Sequence, residues 1–507
     1  MKNILSYIEQ AGKRNSDRVA LSDGETDYTY EDIIQRAKSV GCRIGHLRVQ
    51  NRPVAVFMDK TPDCVAAFLG VVYSGNFYVV LDPMMPPDRI SRIFETLHPA
   101  AVITDRTHLE QAQAFSPPEG LLEYEEACTE PVSESFLSAV RANMTDSDPL
   151  YVLYTSGSTG RPKGTVVSHR AVITYTQWVI DTFGIDENTV FGSQTPFYFS
   201  MSVTDLYGAL RTGARLQIIP KTLFSFPLML MEYLNQYEIN TIYWVPSALC
   251  IVANWDTFVY AKPEHLKKIL FAGEVMPNKQ LNYWRRWLPD LLYANLFGPT
   301  ETTDICTYYI VDRSFADYEA LPIGRPCDNC RTLILDESDR EADQGELYVG
   351  GPFLANGYYN DPEKTQAAFV QNPLNAAYAE TFYRTGDLVA RGKSGELLYI
   401  GRRDHQIKHM GYRIELGEIE ANAGAAENVS ACACVYDGAA DQLILIYQGR
   451  AKTDALMEEL RRKVPGYMLP NKVVRLKSMP YNANGKIDRK YLQEHYKELL
   501  EDNHGTP

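Results

Sequence analysis

The run YVLYTSGSTGRPKGTVVSHR, Tyr151–Arg170, decides how the rest of the chain is read. Between the β-branched and aromatic Tyr151–Tyr154 and the apolar Val166–Val167 it packs the hydroxyls of Thr155, Ser156, Ser158 and Thr159, the glycines Gly157, Gly160 and Gly164, and Lys163. Glycines free the backbone to bend, so successive N–H groups can converge on phosphate oxygens while hydroxyls and a lysine add donors and charge. No Gly-Lys-Ser/Thr closes the run, so it is not a Walker A loop. A lone glycine-rich string is ordinarily a polar surface turn, and its meaning therefore depends on what accompanies it.

A chain of 507 residues exceeds one hydrophobic core and implies two or more domains. Its 45% hydrophobic and 22% charged residues are an ordinary globular composition. A net charge of -14 argues against nucleic acid or an anionic membrane as the main partner, since both demand a basic surface. Nine cysteines, an odd count, suit a reducing cytoplasm better than a disulfide framework. Cys327 and Cys330 with Cys432 and Cys434 lack the tight paired spacing of a zinc site. The N-terminus has no continuous apolar segment, so neither a signal peptide nor membrane insertion is expected.

Through residue 145 the chain reads as alternating helices and strands: Ile4–Ala11 helical, Tyr28–Arg43 helical, Pro53–Phe57 a strand, Thr61–Ser74 helical, Tyr78–Leu81 a buried strand. That alternation argues for layered α/β sheets. Four motifs then follow the glycine-rich run: YANLFGPTETTDICT (Tyr293–Thr307), GELYVGGPFLANGYYNDPEKT (Gly345–Thr365), YRTGDL (Tyr383–Leu388) and GRRDHQIKHMGYRIELGEIE (Gly401–Glu420). NANGKIDRK, Asn482–Lys490, comes last, after a stretch that reads βαββα with Leu456–Val464 helical and Lys472–Lys477 a strand.

In this order and spacing, from about Tyr28 to Lys490, the chain resembles the adenylate-forming enzymes: acyl- and aryl-CoA synthetases, nonribosomal-peptide adenylation domains and firefly luciferase. The resemblance implies an α/β fold. Its parts are a large N-terminal domain of layered sheets with a small β-barrel-like subdomain, residues 1–403, and a small mobile α+β C-terminal domain, residues 404–507. It implies two half-reactions at one site. A carboxylate attacks the α-phosphate of ATP, with Mg2+, and releases pyrophosphate; a thiol then attacks the acyl adenylate and AMP leaves. Both steps rest on positioning and electrostatics and need no nucleophilic side chain.

Carried over position by position, Thr155, Ser156, Gly157, Ser158, Thr159, Gly160 and Lys163 form the phosphate loop. Phe297, where tyrosine is usual, stacks on adenine and keeps the stacking face. Gly298 and Thr300 flank the phosphates, and Glu301 is the magnesium carboxylate. Asp387, an acceptor only, takes the ribose hydroxyls. Arg402 and Arg413 lie near the nucleotide, Asp404 is the hinge between domains, and Gly411 lines the path of the acceptor thiol. Lys486 is the catalytic lysine, a flexible point charge that meets the carboxylate and α-phosphate as charge builds. A non-catalytic relative would lack Lys486 or Glu301, and both are present.

The acyl pocket matches Ser200, Met201, Thr204, Tyr243, Leu270, Ala272, Leu296, Asp304 and Ile305. Amino-acid-activating members place an Asp at the position of Ser200 to hold the α-ammonium; a neutral hydroxyl cannot offset the desolvation of a buried ammonium. An ordinary α-amino acid is therefore disfavoured. Asp304, an apolar pocket's one carboxylate, should meet a cation or strong donor in the substrate, such as a β- or ω-ammonium or the hydroxyl of an aryl acid. In length and in SMSVTDLYGAL and FAGEVMP the chain looks most like free-standing D-alanine–carrier-protein ligases, so a D-alanine or other α-amino acid ligase is the alternative. No Gly-Gly-x-Ser attachment site follows Lys490, which points to a separate carrier protein; coenzyme A is the other acceptor left open, and a luciferase-like oxygenase has little support.

Overall fold

The structure is a computed structural model that describes residues 3–115, 120–157, 161–403, 406–438, 440–481 and 487–503. It has two compact units. The first comprises Met1–Pro83, Leu97–Leu153 and Gly164–Arg403; the second comprises Met84–Thr96, Tyr154–Lys163 and Asp404–Pro507. The second unit thus takes in two segments from the N-terminal half, one of them the glycine-rich loop.

In the first unit, strands without polar alternation build sheets buried on both faces. One sheet runs Leu121–Glu123, Ala101–Thr104, Pro53–Phe57, Phe77–Leu81, Pro149–Thr155, Lys163–Ser168. Pro53–Phe57 is buried at every position and pairs in parallel with both neighbours, as does Phe77–Leu81. A nine-stranded sheet has at its centre the parallel strands Val190–Ser193, Thr241–Trp244, Lys268–Phe271 and Leu292–Phe297. A five-stranded antiparallel sheet, Arg331–Leu335 to Leu397–Arg402, supplies the small β subdomain. The mixed α/β architecture expected from the sequence is present.

Local chemistry moves one element boundary. The helix expected from Tyr28 begins at Tyr30, because Thr29 is its N-cap: the Thr29 hydroxyl accepts from the Asp32 N–H at 3.1 Å while the Asp32 carboxylate accepts from the Thr29 N–H at 3.0 Å. This reciprocal capping box leaves Asp27–Thr29 as a strand.

The second unit has a hairpin, Gln406–His409 with Tyr412–Glu415, then the helix Leu416–Gly424. Met410 and Gly411 both take positive φ (51° and 81°), as a two-residue turn of mirrored type requires. A three-stranded sheet follows, Val429–Asp437, Gln442–Gly449 and Lys472–Leu476, covered by Thr453–Lys463 and Arg489–Asn503. Beyond Glu420 the order ββαβα replaces the βαββα expected there, since the antiparallel pair comes before the helix Thr453–Lys463.

Candidate active site

The residues expected around the acyl group are assembled on the first unit's central sheet. Register pairs Tyr243 with Leu270 and Leu270 with Ala294, so these side chains share a face with Ala272 and Leu296 two residues further on. This is the carboxyl end of parallel strands, where open α/β sheets hold ligands. Tyr243, Leu270, Ala272, Leu296, Thr204, Ile305 and Met201 are all buried; Ser200 is partly exposed.

Asp304 is drawn inward by its backbone. Gly298 lies so close beneath the returning chain that a Cβ there would meet the Asp304 carbonyl at 2.2 Å and Ile305 Cα at 2.6 Å. Thr303, a β-branched residue, has φ 69°, and its hydroxyl donates to the Phe353 carbonyl at 2.7 Å. A branched residue in this region is strained, and strain of this kind persists where surrounding contacts over-determine the turn.

The Asp304 carboxyl is 2% exposed and its Oδ2 accepts from Tyr175 (2.9 Å), Thr204 (3.0 Å) and Tyr243 (3.1 Å). Burial pushes its pKa up to about 6; the Tyr175, Thr204, Tyr243 and Ser200 hydroxyls pull in the opposite direction. All four are neutral. Sequence reading brought Thr204, Tyr243, Ser200 and Asp304 together and missed Tyr175, which lies on the helix His169–Phe183. Its only signal was a phenol on that helix's buried face. Thr300 donates to the Ser200 hydroxyl at 3.4 Å, linking the phosphate motif to the acyl pocket. Behind the pocket, Lys60 donates to the Ser193 carbonyl and hydroxyl, both at 3.0 Å. Burial lowers Lys60 to about 7 and raises the Asp205 carboxyl that faces it.

Among the residues expected at the nucleotide in the same unit, Glu301 is fully buried, and its carboxylate accepts from Tyr358 at 2.7 Å. The Ala355 N–H donates to the Glu301 carbonyl at 2.9 Å, so residues 355–358 hold this glutamate by both main chain and side chain. Asp387 and Arg402 face each other across paired strands and form an ion pair at 3.0 Å, with Asp387 buried and Arg402 partly buried. The Asp387 N–H donates to the Thr385 hydroxyl at 3.0 Å. Phe297 is buried with its ring 5.7 Å from that of Tyr399. Among the described residues no group of three or more His, Cys, Asp or Glu could hold a metal ion. A single carboxylate is nevertheless a donor set that fits Mg2+, which is usually held by one or two carboxylates together with substrate phosphates.

In the second unit, the Thr155 hydroxyl is buried and has no hydrogen-bond partner among the described residues. The Ser156 hydroxyl donates to the Arg413 carbonyl (2.8 Å) and accepts from the Glu415 N–H (3.2 Å). The Gly157 N–H donates to Glu418 at 3.2 Å, and Glu418 is ion-paired with Arg89 at 2.5 Å, both side chains being buried. Arg413 donates to Gln406 at 2.9 Å. A Cβ on Gly157 would meet the Arg161 carbonyl at 2.1 Å, so this close approach of Gly157 to Arg161 requires glycine. Lys163 opens the strand Lys163–Ser168. Ser158, Thr159, Gly160, Asp404 and Lys486 lie outside the described residues. No helix among the described residues is long and apolar enough to cross a membrane.

With these arrangements in hand, comparison with known proteins is informative. The model of the AMP-binding enzyme family matches residues 8–359. The D-alanine--D-alanyl carrier protein ligase of Lacticaseibacillus casei is 30% identical, over 97% of this chain and 98% of the ligase. Tyrocidine synthase 3 of Brevibacillus parabrevis is 31% identical over 97% of this chain, which spans only 8% of that much longer protein. Among solved structures, the Vibrio cholerae adenylation domain AlmE, crystallised with glycyl-adenosine-5'-phosphate, shares the fold with a TM-score of 0.84 at 22% identity, covering 98% of each chain. The chain belongs to the AMP-binding enzyme family, whose members are adenylate-forming ligases.

Proposed function

We propose that the chain activates a small carboxylic acid that carries its cationic or hydrogen-bonding group beyond the α-carbon. The acid is joined to AMP, with release of pyrophosphate, and passed to the phosphopantetheine thiol of a carrier protein. The observation that carries this reading is the Asp304 carboxyl, buried among neutral hydroxyls, beside a serine at the position where an α-ammonium would need a carboxylate. A buried carboxylate without a cation is costly, and a ligand that supplies one recovers much of that cost.

In this assignment Thr155, Ser156, Gly157 and Lys163 take phosphate oxygens, Asp387 the ribose, and Phe297 the adenine face, while Lys486 steadies charge moving between the carboxylate and the α-phosphate. Glu301, fixed by Tyr358, would hold Mg2+, which supplies neutralisation of the phosphate charge. Asp404 serves as the hinge and Gly411 as the passage for the thiol. Likeness to D-alanine--D-alanyl carrier protein ligases along nearly their whole length supports the carrier as acceptor, and it favours D-alanine as the second reading of the acid.

Acid-dependent ATP–pyrophosphate exchange decides between them. The panel is β-alanine, 4-aminobutyrate, D-alanine, L-alanine, 4-hydroxybenzoate and butyrate. Exchange with β-alanine, 4-aminobutyrate or 4-hydroxybenzoate at least tenfold above D-alanine is expected. Preference for D-alanine would overturn the pocket argument and leave an α-amino acid ligase.

A further inference from the structure

The hydroxyl cage around Asp304 has a proton deficit. Tyr175 and Thr204 approach each other to 2.6 Å and each also reaches Asp304 Oδ2, and Tyr243 makes a fourth contact. Four oxygen–oxygen contacts thus share three hydroxyl hydrogens, one from each of Tyr175, Thr204 and Tyr243, and the Ser200 hydroxyl that also bonds Asp304 adds one contact and one hydrogen, which leaves the deficit of one unchanged. With Asp304 ionised, one contact has no hydrogen and two oxygens face each other unshielded. A proton on Asp304 completes the set, and a ligand ammonium brought to the same carboxylate replaces that proton's charge. A phenol or alcohol brings no such charge.

Resting on the reading of Asp304 given above, we propose that Asp304 is an ammonium subsite that exchanges its own proton for the substrate's cation. The acid is then an amino acid and not a hydroxy-aryl acid. The step balances simply: the carboxyl O–H of Asp304 breaks, its proton passes to solvent, and the carboxylate forms an ion pair with the incoming ammonium, whose own protonation is unchanged.

The other groups around the carboxyl stay out of this exchange. Burial raises the tyrosines Tyr151, Tyr175 and Tyr243 and the thiol of Cys327 well above their ordinary values, so all remain neutral near pH 7. Asp205, on the same helix as Thr204, is a carboxyl within electrostatic reach; it faces Lys60 and is also raised by burial. A variant must separate these two.

The test is titration calorimetry of the full chain saturated with AMP, with β-alanine, 4-aminobutyrate, D-alanine and 4-hydroxybenzoate as ligands. Each titration is run in buffers of different ionisation enthalpy, and pyrophosphate exchange is measured in parallel. For an amino acid that supports exchange, release of about half a proton at about pH 6, falling to about a hundredth at pH 8, is expected from a site that titrates near 6. The wild-type comparison needs no variant; Asp304→Asn, nearly isosteric, must abolish the release, whereas Asp205 as its source would leave it intact. Exchange with 4-hydroxybenzoate alone, no release with an activated amino acid, or release that survives in Asp304→Asn would each overturn the proposal. An activated D-alanine with Asp304-dependent release would overturn the substrate position given under the proposed function and uphold the ammonium subsite. No exchange with any acid of the panel would remove both.

Discussion

Replacing Asp304 by Asn should make the unliganded protein more stable while impairing it as an enzyme. Burial lifts the Asp304 carboxyl from 3.8 to about 6, so the folded state holds this proton more tightly than the unfolded chain does. The penalty for keeping the group ionised is absent below about pH 4 and complete above about pH 6; two units at 1.36 kcal/mol each make it about 3 kcal/mol. Asn keeps a carbonyl oxygen for the Tyr175, Thr204 and Tyr243 hydroxyls and carries no charge to desolvate. The advantage of Asp304→Asn should therefore be near zero at about pH 4 and rise to about 3 kcal/mol at pH 8. At roughly 2 cal/mol/K of unfolding entropy per residue, the first unit's thermal midpoint would rise by about 4 °C. The assay is paired thermal unfolding of both proteins at matched scan rates across this pH range. A variant whose deficit against wild type grows as pH rises through about 4 would refute the reasoning, because it would mean that the hydroxyls more than compensate the buried charge. Stability gained at a functional carboxylate is the expected trade against activity.

Other outcomes follow from the same geometry. Below about pH 6, kcat/KM for an amino-acid substrate should fall about tenfold per pH unit as Asp304 takes its proton, and the limb should vanish in Asp304→Asn; a flat wild-type profile down to about pH 5 would count against the ion pair. Lys486→Ala should abolish adenylate formation and spare thioester formation from a supplied acyl adenylate, and equal loss of both steps would refute its role in the first. Tyr358→Phe removes a hydrogen bond to a charged group worth about 1.5–3 kcal/mol. It should raise the Mg2+ concentration for half-maximal nucleotide binding by about tenfold or more; an unchanged midpoint would show that Tyr358 does not position Glu301. Gly298→Ala places a methyl where only 2.2 Å separates it from the Asp304 carbonyl, so acid-dependent exchange should drop at least a hundredfold with nucleotide binding less affected, and near-normal exchange would show that the turn can yield.

Much of this was legible in the sequence because it is written in local patterns. Pro53–Phe57 declares itself as a buried strand, and the pocket residues Tyr243, Leu270 and Leu296 sit at the alternating positions of apolar runs that parallel strands need. What escaped was chemistry between distant positions. Tyr175 reaches Asp304 across 129 residues of sequence, and from the sequence its phenol on an apolar helix face reads as packing. Arg89 and Glu418 are separated by 329 residues, so nothing local announces that Met84–Thr96 belongs with the C-terminal residues. The helix start was misplaced by two residues because Tyr28 fits a helical period, whereas the capping box at Thr29 and Asp32 settles the boundary.

The contact between Gly157 and Glu418 carries a consequence for the order of events. An amide has one hydrogen, and here it is spent on a carboxylate that Arg89 holds in place. On the proposed assignment of this loop to phosphate, nucleotide and Glu418 would be rivals for this one donor. On that proposal ATP would displace Glu418 from the Gly157 N–H. Its apparent affinity then measures a difference between two anions, so weakening Glu418 would tighten nucleotide binding without adding a single contact to the nucleotide.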